Sequence, residues 1–438
     1  MSSKINNSNT PGPVNLYQTG GKRAYVILIL LCLCYLFDYT DRMIVASLFP
    51  FIKKTWAVND MQLGSLQTVV SIFMAIMVLP LSLVVDRWSR RKMVSLMVLF
   101  WSLATIACAF ANNFEQLLVA RAFTGLGEAG YAPAAVAIIA ASFPQESRAK
   151  MTGIWDAFAP VGAGVGFLVG GYVGMHYGWQ HAFGLVGIPG ILLAIAFWFT
   201  HDYKTVSLTD EKNKADSISS IDTKGLWSNV AGLFKIPSLW FVYLAFAMNM
   251  AVSTPIMLWL PTYLNRFHGM NEQVASTATG GIALLVLVGA PLGGYLADRW
   301  LSVRQDSRMI MSGITSLISA AMLVCAFMFP QSGSFWVFIL LFGIFSLAFL
   351  APGAAAIQDV VHPGLRALAY GICVVCQHLL GNSWSPMLIG DISDHVGLEK
   401  ALLITPVFGF IAAILFFAGA KWYSRDIGRV SRVVLYSE

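Results

Sequence analysis

Apolar runs long enough to cross a bilayer recur along the whole chain. Examples are Ala24–Leu36, Met93–Ala111, Gly184–Thr200 and Leu402–Ala420. A spanning helix needs roughly 20 mostly apolar residues, so these runs read as repeated membrane crossings. Composition agrees: of 438 residues 57% are hydrophobic and 11% charged, against about 25% charged in a soluble domain. So few charges cannot cover a water-exposed surface. A cytosolic enzyme, a secreted disulfide scaffold and a disordered chain are excluded, which leaves an all-α polytopic membrane protein.

Hydropathy places twelve spans at 24–48, 63–85, 94–112, 115–142, 150–175, 181–200, 238–264, 272–298, 308–330, 334–360, 366–391 and 398–423. The net charge of +6 invites a nucleic-acid reading, but the placement of the basic residues gives another. Of the 28 Lys and Arg, 22 fall on one side, in the tails and the even-to-odd loops. The opposite loops hold Lys53, Lys54, Arg266 and Lys400. By the positive-inside rule both termini and the central loop are expected in the cytoplasm. No cleavable leader is expected ahead of the first span, because residues 1–21 are polar and rich in Asn, Ser and Gly. Six cysteines are scattered, and Cys373-Val-Val-Cys376 has redox or zinc spacing but no second ligand pair, so it is read as core.

The long polar stretch His201–Lys235 divides the spans six and six. The expected organisation is a tail (1–23), a six-helix bundle (24–200), a linker (201–237), a second bundle (238–423) and a tail (424–438). Each bundle repeats one signature: Asp86-Arg87-Trp88 closes the second span and Asp298-Arg299-Trp300 the eighth. Basic groups follow each copy, Arg90, Arg91 and Lys92 in one, Arg304 and Arg308 in the other. Two six-span halves with matching second-to-third loops resemble the major facilitator superfamily, whose halves rock around a central site. Asp86, Arg87, Arg90, Asp298 and Arg299 then read as a cytoplasmic gate latch.

Two apparent nucleotide motifs fail on context. Gly125-Leu-Gly127-Glu-Ala-Gly130 matches G-x-G-x-x-G, but it lies in an apolar helix with no strand before it. Small residues there allow close helix contact instead. Gly20-Gly21-Lys22-Arg23 lacks the spacing and hydroxyl of a phosphate loop. No cofactor is expected, and the energy source is expected to be a gradient, most simply of protons.

Charges inside spans cost several kcal/mol and ask for a reason. The first span carries Asp38, Asp41 and Arg42, with Asp38 and Arg42 one turn apart on a shared face. The fourth carries Arg121 and Glu128, about two turns or roughly 10 Å apart, with Gly125 between them to keep the face open. Asp156 precedes the glycine-rich Pro160–Gly166, read as a pliable stretch, and Asp359 ends the tenth span. His378 and Asn382 form a polar stripe in the eleventh. Mutual neutralisation is the plain alternative, weightiest for Asp38 and Asp359 near the interfaces. For Asp41, Arg42, Arg121 and Glu128 a polar path is favoured. Arginine stays charged while a desolvated carboxyl takes up a proton, which suits a proton-coupled carrier of anions.

Particular strings resemble the spinster family of lipid transporters. They are Asp41-Arg42, Arg121-Ala-Phe-Thr-Gly-Leu-Gly-Glu128-Ala-Gly-Tyr, Ala159-Pro160-Val-Gly162-Ala-Gly164, and Gln377-His378-Leu-Leu-Gly381-Asn-Ser-Trp-Ser385-Pro386-Met-Leu-Ile-Gly390-Asp391-Ile-Ser-Asp394. The anion:cation symporters share the motifs of the first and fourth spans and fit Trp259-Leu-Pro261 equally well; the eleventh-span string favours spinster. The resemblance implies a proton-linked transporter, with animal members moving lysophospholipids or sphingosine-1-phosphate. It makes Asp41 and Glu128 the proton-responsive acids, and Arg42 and Arg121 the anion and gating partners. Asn382 stands where the family often has an acid, and Ser82 where the second copy of the loop signature, Gly294-Tyr-Leu-Ala-Asp298-Arg299, has its glycine. The short loops and tails look bacterial, so an inner-membrane monomer is expected.

A channel would need a ring of selecting groups, whereas the intramembrane charge sits in one half. A receptor would need a recognition domain that these loops cannot hold. An enzyme would need an assembled nucleophile and base or metal ligands, and the seven His are dispersed. The expected cargo is an organic anion, more amphiphilic than sugar-like. The second half offers Met250, Met257, Trp259, Phe345 and Phe349 as walls, and few polar partners beyond Asn249, Ser253, Gln358, His378 and Asn382. Symport of a sugar acid or small carboxylate is the alternative.

Overall fold

The computed structural model describes residues 21–87, 89–200, 232–233, 235–330, 333–361 and 365–429. The expectations for the N-terminal tail, most of the linker and the end of the C-terminal tail fall outside these residues, as do the side chains of Asp86 and Arg87. Lipid offers no hydrogen-bond partners, so each crossing must satisfy its own backbone, and the described residues form helices and turns with no strand.

Among the described residues, eleven helices are long and apolar enough to cross a membrane. In order, the first six spans are Gly21–Trp56, Asp60–Arg87, Arg90–Ala109, Phe114–Ser142, Lys150–His176 and Trp179–Trp198. The next four are Pro237–Phe267, Glu272–Leu301, Ser307–Met328 and Ser334–Asp359. The last is Leu398–Gly428. Between these last two runs the eleventh crossing, in pieces: Arg366–Gln377, a π-helical turn His378–Asn382, and Ser385–Val396. The first span extends eight residues past the expected 48, because its polar end, Lys53 and Lys54, stays helical and finds acidic partners.

Helix starts are set by side chains that cap free N–H groups. Ser89, Asn113 and Asn271 each accept from the backbone N–H three residues on. Asn59 and Gln62 form a reciprocal capping box at the second span. The two halves repeat one turn that sequence inspection overlooked. Gly178 before the sixth span and Gly397 before the twelfth have φ of 93° and 90°, with ψ near 150°, a region open in practice to glycine alone.

Small residues decide which helices touch. Gly162 and Gly166 of the fifth span lie so close to the first that a Cβ would overlap or crowd the carbonyl oxygens of Leu36 and Thr40. Thr40 Oγ1 donates to the Gly162 carbonyl at 3.0 Å. The glycine-rich stretch is therefore a docking stripe, not a pliable segment, and it grips the part of the first span that carries Asp38, Asp41 and Arg42. Gly125 and Gly127 likewise press on Val70 and Trp101. The space at Gly125 is filled by the second span, so it is not an open face.

A Gly162→Ala variant should lose about 1–3 kcal/mol of stability, the usual cost of overpacking. Gly153→Ala, whose Cβ meets nothing within 4 Å, should melt like the wild type. Thermal unfolding of the two purified variants checks the pair.

Between halves, the second span packs on the eleventh and the fifth on the eighth. Gly64 abuts Pro386, Gly390 abuts Asp60, and Gly171 abuts Ser276. These contacts lie toward the end away from the chain termini. At the terminus-bearing end the described polar pairs stay within one half: Arg308 binds Asp298 at 3.0 Å and Asp359 at 2.5 Å, and Tyr423 Oη donates to Asp359 at 2.5 Å.

Candidate functional site

The charges of the first and fourth spans meet, and they sort into two separate clusters. In one, Arg121 Nη1 binds Asp41 Oδ2 at 3.0 Å, with both side chains fully shielded. Arg121 Nε and Nη2 and Asp41 Oδ1 find no further hydrogen-bond partner among the described residues. In the other, Arg42 lies between two acids, 3.0 Å from Asp38 Oδ2 and 3.0 Å from Glu128 Oε2. The Glu128 oxygens make no aligned hydrogen bond, so that contact is one of charge only. The Arg42 guanidinium also sits 5.0 Å from the Tyr39 ring centroid, a cation–π distance.

Exposure separates the two arginines. Arg42 keeps 14% of its side chain accessible and Arg121 none. Arg42 therefore faces the space between the halves, while Arg121 is sealed behind it. Across that space Arg42 acts electrostatically on His378 of the eleventh span. His378 Nδ1 lies 3.5 Å from Asn382 Nδ2, and Thr254 Oγ1 donates to Asn382 Oδ1 at 2.7 Å. The anticipated stripe is real, but it lies on a π-helical turn, a feature that often marks functional positions.

Asp156 is accessible, and no described cation pairs with it. It lies within electrostatic reach of Tyr35, Tyr39 and Tyr370, which places it between the halves. Tyr35 stacks on Trp155 at 4.1 Å and packs edge-on against Tyr39 at 5.0 Å. Tyr35 and Tyr39 flank Asp38, and Trp155 adjoins Asp156, but helix phase alone did not single these aromatic groups out.

Several anticipated wall residues lie elsewhere. Trp259 is fully buried against Phe49 and donates to the Pro386 carbonyl; Phe349 is buried with Phe246 and Phe416. Both are core. Asn249 is buried too and bonds Ser316 within its own half, Ser253 is buried, and Gln358 is exposed with its carbonyl accepting from Arg366. Met250, Met257 and Phe345 keep part of their surface.

Of the latch residues, Asp298 is paired, but with Arg308; Arg299 instead reaches Tyr295 Oη at 3.4 Å. Asp359 belongs to that same cluster. No group of His, Cys, Asp and Glu among the described residues is arranged to hold a metal.

Two helical halves packed on each other, with a buried charge cluster inside the first, have the architecture of a membrane transporter. Residues 31–386 match the profile of the Major Facilitator Superfamily, and the chain belongs to that superfamily. Within it the chain resembles spinster proteins. It is 27% identical over 438 residues to Protein spinster homolog 1 of Xenopus laevis, covering 92% of this chain and 82% of that one. Its fold matches a bacterial homolog of the human lysosomal transporter spinster in an inward-facing, unoccupied conformation. That match has TM-score 0.80 and 23% identity, and covers 93% and 99% of the two chains. A D-xylose–proton symporter shares the fold more distantly, with TM-score 0.71 and 15% identity over 90% and 97%.

Proposed function

We propose that this transporter is proton-coupled and moves an organic anion with an apolar portion by alternating access. The observation that carries the reading is Arg42, a cavity-facing cation shared by two acids, Asp38 and Glu128. An incoming anion competes with those carboxylates for the guanidinium. Proton uptake by Glu128 would remove one competitor, so that protonation and anion binding favour each other. Asp41 and Arg121 form the second ion pair, exposed to substrate only if the first and fourth spans shift. The partly exposed rings of Tyr39 and Tyr370 near Asp156 suit a cargo with apolar character. The likeness to spinster proteins agrees with a lipid-like molecule.

Binding tests this reading directly. Lysophospholipids and other acidic amphiphiles should raise the melting temperature of the purified protein, and Arg42→Ala should abolish the rise. Stabilisation by sugar acids alone would transfer the assignment to the carboxylate-symporter reading.

The orientation proposed from the basic residues is also testable. With both termini cytoplasmic, the exposed His395 lies outside the cell. A His395→Cys variant should react with an impermeant thiol reagent in sealed cells, and Lys214→Cys only after permeabilisation. External labelling of Lys214→Cys would reverse the topology.

A further inference from the structure

The first half carries a basic patch that the charge cluster does not use. Arg90, Arg91 and Lys92 open the third span, whose first turn contains no acid. Arg91 Nη1 donates to the carbonyl of Thr200, just beyond the sixth span, which fixes the guanidinium where the two helices meet. Its Nε finds no partner among the described residues. Lys92 Nζ lies 5.9 Å from the centroid of the Trp198 ring, at the outer edge of cation–π contact. Neither Arg91 nor Lys92 pairs with a carboxylate among the described residues. The matching loop of the second half is built otherwise. Arg304 binds Asp306 at 2.8 Å, and Arg308 binds Asp298 at 3.0 Å and Asp359 at 2.5 Å. A positive excess on one side sets topology whether or not its members are paired, so sidedness alone does not account for the open pair in the first half.

An apolar strip continues from these cations into the membrane. The third span presents Leu96, Phe100 and Leu103, all exposed and all on the helix face of Lys92. The rise from Lys92 to Leu103 is about 16 Å, close to one half of a hydrocarbon core about 30 Å thick. The sixth span packs against the third and exposes Ile195 and Phe199. Trp198 stands at the polar end of the strip, the depth at which indole rings anchor helices to the headgroup layer. Both spans pack on helices of their own half, so the strip faces lipid and not the space between the halves.

We propose that the ends of the third and sixth spans seat an acidic phospholipid, its phosphate on Arg91 and Lys92 and an acyl chain along Leu96, Phe100 and Leu103. Charge complementarity selects the occupant. Arg91 supplies fixed, directed donors to a phosphate, and Lys92 adds a mobile point charge. A headgroup with a net negative charge satisfies both, whereas the amine of a zwitterionic headgroup cancels much of the attraction. The seat is separate from Arg42, which faces the space between the halves, so its lipid is a resident of the outer surface and not the cargo.

Amide hydrogen exchange of the full chain in nanodiscs tests this and reads position, which separates the seat from the cargo site. Nanodiscs of phosphatidylcholine are compared with a series containing increasing phosphatidylglycerol. Phosphatidylglycerol should slow exchange in peptides covering residues 89–96. Peptides covering 302–310 should not respond, because the basic residues there already have acidic partners. In Lys92→Gln the proportion of phosphatidylglycerol that gives half the effect should rise about fivefold, the usual contribution of one basic residue at an acidic lipid surface. Lys421→Gln, which removes an exposed charge from the same end of the twelfth span, should keep the wild-type midpoint. Exchange in 89–96 that ignores phosphatidylglycerol would overturn the seat, and this wild-type comparison needs no variant. Equal slowing in 302–310, or a Lys92→Gln midpoint equal to that of the wild type, would reduce it to a general effect of surface charge and overturn it too.

Discussion

Asp41→Asn should destabilise the protein by about 3–5 kcal/mol, the cost of leaving one member of a buried ion pair without its counter-charge. Arg121 has no alternative: its side chain is fully shielded, and its Nε and Nη2 find no hydrogen-bond partner among the described residues. Arg121→Ala should cost a similar amount by orphaning Asp41. The neutral double variant Asp41→Asn, Arg121→Gln should recover much of the loss, because removing both charges of a buried pair is often close to neutral. Unfolding in nanodiscs, followed by tryptophan fluorescence, measures all three. Single variants as stable as the wild type would show that water reaches the pair.

Glu128→Gln should act differently, leaving the fold largely intact and breaking the coupling. Arg42 keeps Asp38, to which it is bound by Nε and Nη2, so no buried charge is left alone. Glutamine cannot take up the proton. Gradient-driven accumulation should fall by about tenfold or more, within the usual range of coupling free energies, while exchange down a concentration gradient continues. Uptake assayed with and without an imposed pH difference separates the two activities. Accumulation that persists unchanged in Glu128→Gln would move the proton role to Asp38 or Asp156.

These two effects part company because of pairing, which the sequence could not show: Arg42 has a second acid and Arg121 does not. Asp41-Arg42 reads as an adjacent pair, yet neighbouring residues on a helix point about 100° apart. Arg42 turns to Asp38 and Glu128, and Asp41 turns to Arg121. The motif spacing identified all five charged residues, while the pairing depended on how the first and fourth spans are brought together.

Membrane crossings were legible because lipid imposes length and apolarity on every helix, and the half-to-half repeat because its signature sits in a polar loop. The aromatic walls were not legible. Phe349 lies on an anticipated helix but on a face turned into its own bundle, Trp259 is buried where its helix meets Phe49 of the first half, and apolar residues in these different settings look alike in sequence. The ion pair of Asp60 with Arg266 across the two halves, at 2.7 Å, was missed for another reason. Asp60, Arg266 and Asp394 fall between the spans expected from sequence, where single charges are ordinary, and only the tertiary contact of the two halves joins them. An isolated acid in a short loop opposite one of the few basic residues on that side was the available signal.

Proteoliposomes loaded with a pH-sensitive dye and given a labelled lysophospholipid or acidic amphiphile test proton coupling most directly, because cargo and proton fluxes are read in one vesicle. Cargo movement should be accompanied by a proportional change in internal pH. An imposed pH gradient should drive cargo accumulation, and both effects should vanish in Arg42→Ala. Cargo flux that proceeds at full rate with no proton movement, and that ignores an imposed pH gradient, would contradict the account.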